Sequence, residues 1–339
     1  MAIERRLPAK VVTLGAGRMG QGIATAFAFA GIPVTLIDLK ERSDQDFEGL
    51  VKQAKSAIET DLHFLTDTGL LDAQTGRSIL DRIDVQPGAQ ALQTLDDAEL
   101  IFEGVPEVMD AKIDAFEWLS RHAHKDAVIA STTSTFLVDD LATHVLHPNR
   151  FANAHWLNPA HLMPLVELSQ GASTTDATID YLVHVLEVIG KVPCRFGASP
   201  GYVVPRIQAL AMNEAARMVE EGVGTAEEID KAIRVGFGMR FAVLGMLEFI
   251  DWGGGDILYY ASKYLSEAIS SDRYALPTVI ADNMQNARNG LRDGQGFFDY
   301  RNTDISAYRA ERMRAFVALL DHMALLPEAG AALAHRDQE

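Results

Sequence analysis

Cys194 is the single cysteine in 339 residues, so neither a disulfide framework nor a cysteine-based metal site can be built. The ten histidines show no HExxH pairing or comparable ligand spacing, which leaves no metal signature. No apolar run is long enough to span a bilayer. The stretch from Met1 to Lys10 is short and charged, and a strand-like run follows it rather than the core of a signal peptide; a cytoplasmic protein is expected. Positive charge is scarce as well, with 30 Lys and Arg against 47 Asp and Glu and a net charge of −17. Such a chain has nothing to displace counterions from nucleic-acid phosphates over a wide surface. A small anionic ligand, which needs only a local cation, is not excluded. Low-complexity tracts and repeats are missing too.

What remains is an ordinary globular composition, 48% apolar and 23% charged, in a chain long enough for two cores. Up to about residue 197, short apolar runs alternate with helical patterns. The candidate strands are 11–15, 34–38, 100–104, 127–131, 151–155, 165–169 and 192–196. Amphipathic stretches, such as 109–122 and 178–189, lie between several of them. Alternation of this kind predicts a mostly parallel sheet with helices on both faces. Residues 41–65 read as a long helix, paired with another after Asp72. Gly197 to Gly201 is rich in turn formers, and beyond it the pattern is helical: 202–222 ends at a glycine, Thr225 to Glu228 has the form of a capping box, and 307–325 closes the series. The expected fold class is therefore α/β, a Rossmann-type doubly wound sheet in residues 1–198, followed by an all-α domain in residues 199–339.

A GxGxxG pattern occupies Gly15, Gly17 and Gly20. It follows a buried-type strand and opens the apolar helix 21–30, and a second strand ends in Asp38, eighteen residues after Gly20. Each part has a physical role in dinucleotide binding. Gly15 permits a tight turn, Gly17 lets the backbone approach a pyrophosphate, and Gly20 lets helix and strand pack closely. The helix start, with Arg18 and Met19, offers free N–H groups and a positive dipole end to the phosphates. Asp38 can accept hydrogen bonds from ribose hydroxyls and would repel a 2′-phosphate, which favours NAD over NADP. Lys40 and Arg42 stand close enough to accommodate that phosphate.

The end of the α/β region carries a second cluster. His155, Asn158 and Glu167 lie within thirteen residues, and Ser134 follows the strand 127–131. A histidine at a strand end is more often packed or surface-exposed than catalytic. Glu167 inside an apolar strand is more telling, because an unpaired buried carboxylate is costly. A histidine partner would satisfy it, and the pairing would raise the basicity of the imidazole.

With these residues in view, the chain resembles the L-3-hydroxyacyl-CoA dehydrogenase family over nearly its whole length. The matching positions are the glycine loop, Ser131 to Ser134, His155 with Asn158 and Pro159, Leu165 to Glu167, Pro200-Gly201 and Gly294 to Tyr300. The resemblance implies an NAD-dependent enzyme of fatty-acid metabolism that oxidises a short 3-hydroxyacyl-CoA to its 3-keto form. His155 would take the proton of the 3-hydroxyl while hydride passes to the nicotinamide. Glu167 would orient the imidazole, Ser134 would bond the reacting oxygen, and Asn158 would support the site. Glu107 and Lys112 match positions that contact the cofactor; the residues alone read equally as a solvated helix start with an exposed salt link. A homodimer formed by the all-α domain is also implied.

Two departures qualify the substrate. Pro205 stands where the family usually has an asparagine, and it offers neither a side-chain hydrogen bond nor an N–H. It also suits the first turn of a helix, and Gln208 or Asn213, one and two turns on, could supply a replacement amide. The segment 41–70 carries more acids than bases, with Lys52 and Lys55 its only lysines, a poor setting for the polyanionic end of CoA. The segment from Gly236 to Gly245 is similar to relatives that act on free hydroxy acids, such as gulonate dehydrogenase (lambda-crystallin) and carnitine dehydrogenase. Arg240 would there hold a carboxylate by a bidentate contact, and it reads equally as an arginine packed between helices or across a dimer contact. A free 3-hydroxy acid is thus the alternative substrate. The 6-phosphogluconate and hydroxyisobutyrate dehydrogenases are set aside because residues 202–222 contain no lysine. A crystallin-like binding protein, with Pro205 marking lost activity, is disfavoured by the joint presence of Ser134, His155 and Glu167.

Overall fold

The computed structural model describes residues 6–327; residues 1–5 of the charged amino-terminal stretch and 328–339 of the expected second domain lie outside them. The chain divides into two compact units, Met1–Met212 and Asn213–Glu339. In the first, β1 (Val11–Leu14), β2 (Val34–Asp38), β3 (Ile83–Pro87), β4 (Leu100–Glu103), β5 (Val128–Ser131), β6 (Phe151–Trp156), β7 (Leu165–Gln170) and β8 (Val192–Gly197) form one sheet in the order 3-2-1-4-5-6-7-8. Neighbouring strands run parallel, except that β6 and β7 are antiparallel. This is the expected doubly wound, Rossmann-type sheet. Its direction of winding reverses between β1 and β4, and ligands of such sheets bind beyond the strand ends at that crevice.

The strands read as unbroken apolar runs because both faces are covered. On one face Val11, Leu36, Phe102 and Trp156 pack with Ile23 and Phe27 of α1 (Arg18–Phe29) and Ile58 of α2 (Asp44–Asp67). α3 (Ala73–Leu80) joins the same side through Ile79. On the other face Val12, Leu14, Ile101 and Ile129 meet Leu95 of α4 (Leu92–Asp96), Phe116 and Leu119 of α5 (Met109–His122) and Leu141 of α6 (Val138–Ala142). Residues 11 and 12 take opposite faces because strand side chains alternate. α7 (Asp176–Val188) returns to the first face through Leu182 and Leu186, and α8 (Val204–Glu220) runs across the division between the units.

The strand β3 was not among the candidates. It is an edge strand, paired only to β2, and its polar Asp84 and Gln86 and terminal Pro87 hide it from a search for doubly buried runs. The long helix begins at Asp44 rather than residue 41, because the Ser43 hydroxyl accepts from the Asp46 N–H and caps it there.

The second unit is helical: α9 (Ala226–Ala232), a π-turn over Ile233–Gly238, α10 (Met239–Val243), α11 (Met246–Gly253), α12 (Gly255–Ala268), α13 (Ser271–Tyr274), α14 (Thr278–Gln285) and α15 (Ile305–His322). Thr225 caps α9 by accepting from the Glu228 N–H, as its capping pattern predicts. Asp251, 2% exposed, accepts from the Phe297 and Phe298 N–H groups at 3.0 and 2.9 Å. A Cβ at Gly296 would fall 2.1 Å from the same carboxylate, so the glycine in the 294–300 motif is required for this close approach.

Lys191, at the entry to β8, closes the loop that follows β6. Its ammonium donates to the carbonyls of Ala160, His161 and Met163 at 2.7, 3.2 and 2.9 Å and lies 5.6 Å from the centre of the Trp156 ring. Among the described residues no carboxylate pairs with it. Burial pushes Lys191 down to about 8 from the ordinary lysine value of 10.5. Between those values the unfolded chain binds more protons than the folded one, so this lysine makes stability rise with pH across that window. Urea unfolding at pH 8 and pH 10 should therefore show wild type gaining about 1–3 kcal/mol relative to Lys191→Met; equal changes in the two proteins would contradict the burial assigned to this ammonium.

Candidate active site

The carboxyl ends of β1, β4, β5 and β6 point the same way, and two adjoining clefts open there. The first, about 760 Å³, is lined by the 15–18 turn, Asp38, Lys40, Arg42 and the 104–106 turn. Gly15 has φ +110° and a Cβ on it would fall 2.6 Å from the carbonyl oxygen of Gly104; one on Gly20 would fall 2.0 Å from that of Gly15. Both glycines are demanded by the protein itself. Gly17 differs. No protein atom lies within 4 Å of its would-be Cβ and its φ of −83° suits any residue. The space beside it is open at the N-terminus of α1, the kind of place where a helix can receive a pyrophosphate. Arg18 is exposed on the wall of both clefts, and Met19 lines the second. Asp38 is 7% exposed and takes the Arg42 Nε on Oδ2 at 2.5 Å. Arg42 is thus committed to the carboxylate, and among the described residues no carboxylate pairs with the neighbouring Lys40. These features fit NAD.

The second cleft, about 460 Å³, is lined by Glu107, Ser134, His155, Asn158, Pro205 and Gln208 among others. His155 and Glu167 are register partners across the antiparallel β6–β7 pair, so their side chains share a face. The Nδ1 of His155 lies 2.8 Å from Glu167 Oε2. The other oxygen, Oε1, accepts from the backbone N–H groups of Val203 and Val204 at 3.0 and 2.9 Å. Glu167 is wholly buried and His155 is 6% exposed. One carboxylate therefore orients an imidazole and caps the start of α8, satisfying the cost of its burial on both sides.

Glu107 and Lys112 come together, but not as an exposed salt link. Lys112 is completely buried and its ammonium meets Glu103 at 3.0 Å and Glu107 at 3.3 Å. It lines neither cleft. Glu103 also accepts from Ser131 Oγ at 2.5 Å and the Val105 N–H at 2.9 Å. Glu107 gathers the loop after β5, accepting from the Ser134 and Thr135 N–H groups at 3.0 Å each and from the Thr133 and Thr135 hydroxyls. Burial raises the Glu107 carboxyl, yet the Thr133 and Thr135 hydroxyls and the Lys112 ammonium outweigh it and hold the group below the usual carboxylate range. This network fixes Ser134 on the cleft wall. Ser134 and Asn158 are themselves exposed.

Of the two candidate amides on α8, Gln208 lines the cleft with Pro205, whereas Asn213 falls in the second unit and does not line it. Pro205 is the second residue of α8, where its missing N–H has no helical partner to lose. Arg240, on α10, is exposed and lies 5.7 Å from the Phe249 ring centre. Three residues escaped sequence reasoning: Glu103, Lys191 and Tyr202. A glutamate ending an apolar strand, as at Glu103, carries the same signal that singled out Glu167.

The two kinds of glycine can be separated experimentally. Gly20→Ala should cost about 1–3 kcal/mol in urea unfolding, because backbone must move. Gly17→Ala should stay within about 1 kcal/mol of wild type while an NADH fluorescence titration shows at least about tenfold weaker binding. Normal NADH affinity in Gly17→Ala would place the phosphates elsewhere.

Comparison with known proteins agrees with this geometry. The NAD-binding domain of 3-hydroxyacyl-CoA dehydrogenase matches residues 10–199, and its C-terminal domain matches residues 201–300. A probable 3-hydroxybutyryl-CoA dehydrogenase of Deinococcus radiodurans is 31% identical over 86% of this chain and 100% of its own. A 5-formyl-3-hydroxy-2-methylpyridine 4-carboxylate 5-dehydrogenase of Mesorhizobium japonicum is 27% identical over 91% of this chain and 96% of its own. The crystal structure of a 3-hydroxyacyl-CoA dehydrogenase from Archaeoglobus fulgidus is similar at a TM-score of 0.75 and 28% identity, covering 94% of this chain and all of the other. The chain is an NAD-dependent dehydrogenase and belongs to the 3-hydroxyacyl-CoA dehydrogenase family.

Proposed function

We propose that this enzyme oxidises the 3-hydroxyl of a short 3-hydroxyacyl-CoA, of the 3-hydroxybutyryl type, with His155 as general base. The pairing of His155 Nδ1 with the buried Glu167 carboxylate carries the reading. With the Nδ1 proton donated to Glu167, Nε2 holds the lone pair and is left to take a proton in the cleft that Ser134 and Asn158 line. Bound NAD⁺ supplies the hydride acceptor. Ser134 donates to the reacting oxygen, Asn158 supports the same pocket, and Glu167 stabilises the imidazolium as it forms. The alcohol must present its O–H to His155 and its C–H to the glycine-loop cleft at once, which is a demand on position more than on reactivity.

A second reading, a free 3-hydroxy acid, has specific support. α2 carries Asp44, Asp46, Glu48, Glu59, Asp61 and Asp67 against Lys52 and Lys55, a surface that repels rather than gathers the phosphates of CoA. The Mesorhizobium relative is named for a free pyridine carboxylate. In this reading Arg240 holds the substrate carboxylate. A homodimer is part of the proposal in either form: α8, α9 and α15 contain no buried residue, and Val219, Ile233, Phe237, Met313 and Val317 are exposed, an apolar surface that a partner copy would cover.

NADH formation should be followed with 3-hydroxybutyryl-CoA, 3-hydroxybutyrate, gulonate and carnitine, each with NAD and NADP. Turnover of the CoA thioester with NAD is expected; turnover of free acids only would retire the CoA reading and bring Arg240 forward. His155→Gln should lower kcat by about 10²–10⁴-fold with unchanged NADH affinity, and near-normal kcat in that variant would sink the base assignment.

A further inference from the structure

Tyr202 meets the site at the ring of His155. Its ring lies on the imidazole of His155, with centroids 4.7 Å apart and planes 22° from parallel. Its hydroxyl donates to the carbonyl of Thr133 at 2.8 Å, inside the loop that presents Ser134. The residue is 6% exposed and sits at φ +50°, directly after Gly201 at φ +74°. A tyrosine in left-handed backbone is uncommon and costs conformational energy. Here that backbone turns the chain into α8 while laying the ring against the histidine.

The geometry points to Tyr202 as a positioning residue: its ring fixes the plane of the His155 imidazole and faces the cation that forms there, and its hydroxyl sets the Ser134 loop at a constant distance from that base. The inference rests on the assignment of His155 as base and Ser134 as the contact to the reacting oxygen. One hydrogen bond from Nδ1 to Glu167 fixes one ring atom but leaves the ring able to swing about that contact. A stacked ring removes the swing. The same face offers the aromatic quadrupole to a cation, so an imidazolium gains more from it than a neutral imidazole does. Burial, with further help from the nearby carboxylates of Glu107, Glu167 and Glu103, raises the phenol above its ordinary range, so the hydroxyl stays a donor throughout the working pH. The other charged groups facing His155 are Glu167 from β7, which it bonds, and Arg18 of α1 and Glu107 of the turn after β4 on the wall of the same cleft.

The two contacts are separable in the full-length enzyme with its best substrate and NAD. Y202F keeps the ring and drops the hydroxyl. Its kcat should fall about 2- to 10-fold, the worth of one lost hydrogen bond, with the acidic limb of the kcat/KM pH profile and the NADH affinity both unchanged. Y202L also drops the ring, and the acidic limb should move to lower pH by about half a unit, because the imidazolium loses its stabilising face. Placing pentafluorophenylalanine at position 202 keeps the packing and reverses the ring quadrupole, so it should move the limb in the same direction relative to Y202F even if the leucine variant fails to fold. A limb that stays fixed in the pentafluorophenylalanine enzyme overturns the stacking role, and a Y202F enzyme with wild-type kcat overturns the tether. Failure of the underlying base assignment looks different: His155→Gln would then retain turnover and the acidic limb, whatever the Tyr202 variants do.

Discussion

A buried carboxylate has to be answered on every lone pair, and in this enzyme the answer to Glu167 builds the site. Its oxygens take one imidazole nitrogen and two N–H groups from the start of α8. Those N–H groups belong to a helix terminus with no partners of its own, and the carboxylate also meets the positive end of the helix dipole. The three contacts are therefore mutually enforcing. Sheet register sets His155 opposite Glu167, Glu167 sets where α8 begins, and the turn that α8 requires delivers Tyr202 onto the imidazole. A change at any of these points would displace the histidine.

The same logic recurs one strand pair away. Glu103 ends β4 as Glu167 lies in β7, fully buried and needing a cation. Lys112 supplies it, and the charge left over is passed to Glu107, which spends its lone pairs on the loop around Ser134. Two acids around one base leave a net negative charge, and the hydroxyl and amide donors of residues 131–135 are what make that tolerable in a low dielectric. The loop is held chiefly by these polar contacts, with Phe136 packed against the core beneath it.

These arrangements explain what could be read in advance. The glycine loop was legible because its pattern sits in one βαβ unit; Gly15 and Gly20 answer to close backbone, and Gly17 faces open space. His155 and Glu167 were legible because a carboxylate in an apolar strand announces a partner, although the residues alone did not choose one; the family resemblance did. Glu103 sent the same signal and was passed over. Lys112 was legible as a position but not as an environment, since nothing in a helix start tells whether its lysine faces water or the core. β3 failed to show because an edge strand need be apolar on one face only. Tyr202 and Lys191 could not be found at all. The contacts that define their roles lie at least 47 and 28 residues away, the nearest in sequence being Tyr202 with His155 and Lys191 with Met163, and no periodicity records them.

Pro205 stands at the meeting point of fold and specificity. As the second residue of α8 it suits the helix start that Glu167 caps, and as part of the cleft wall it presents no polar side chain there. A polar side chain at this place would have to be satisfied by the substrate or by its neighbours; a proline imposes no such condition. Ser134, His155 and Asn158 line this cleft together with Gln208, the polar residue that α8 contributes beside Pro205. The polar geometry of the cleft is thus set from β7 and from the loop after β5, where Glu167 holds His155 and Glu107 holds the residues around Ser134, whereas the start of α8 adds a proline that needs no partner.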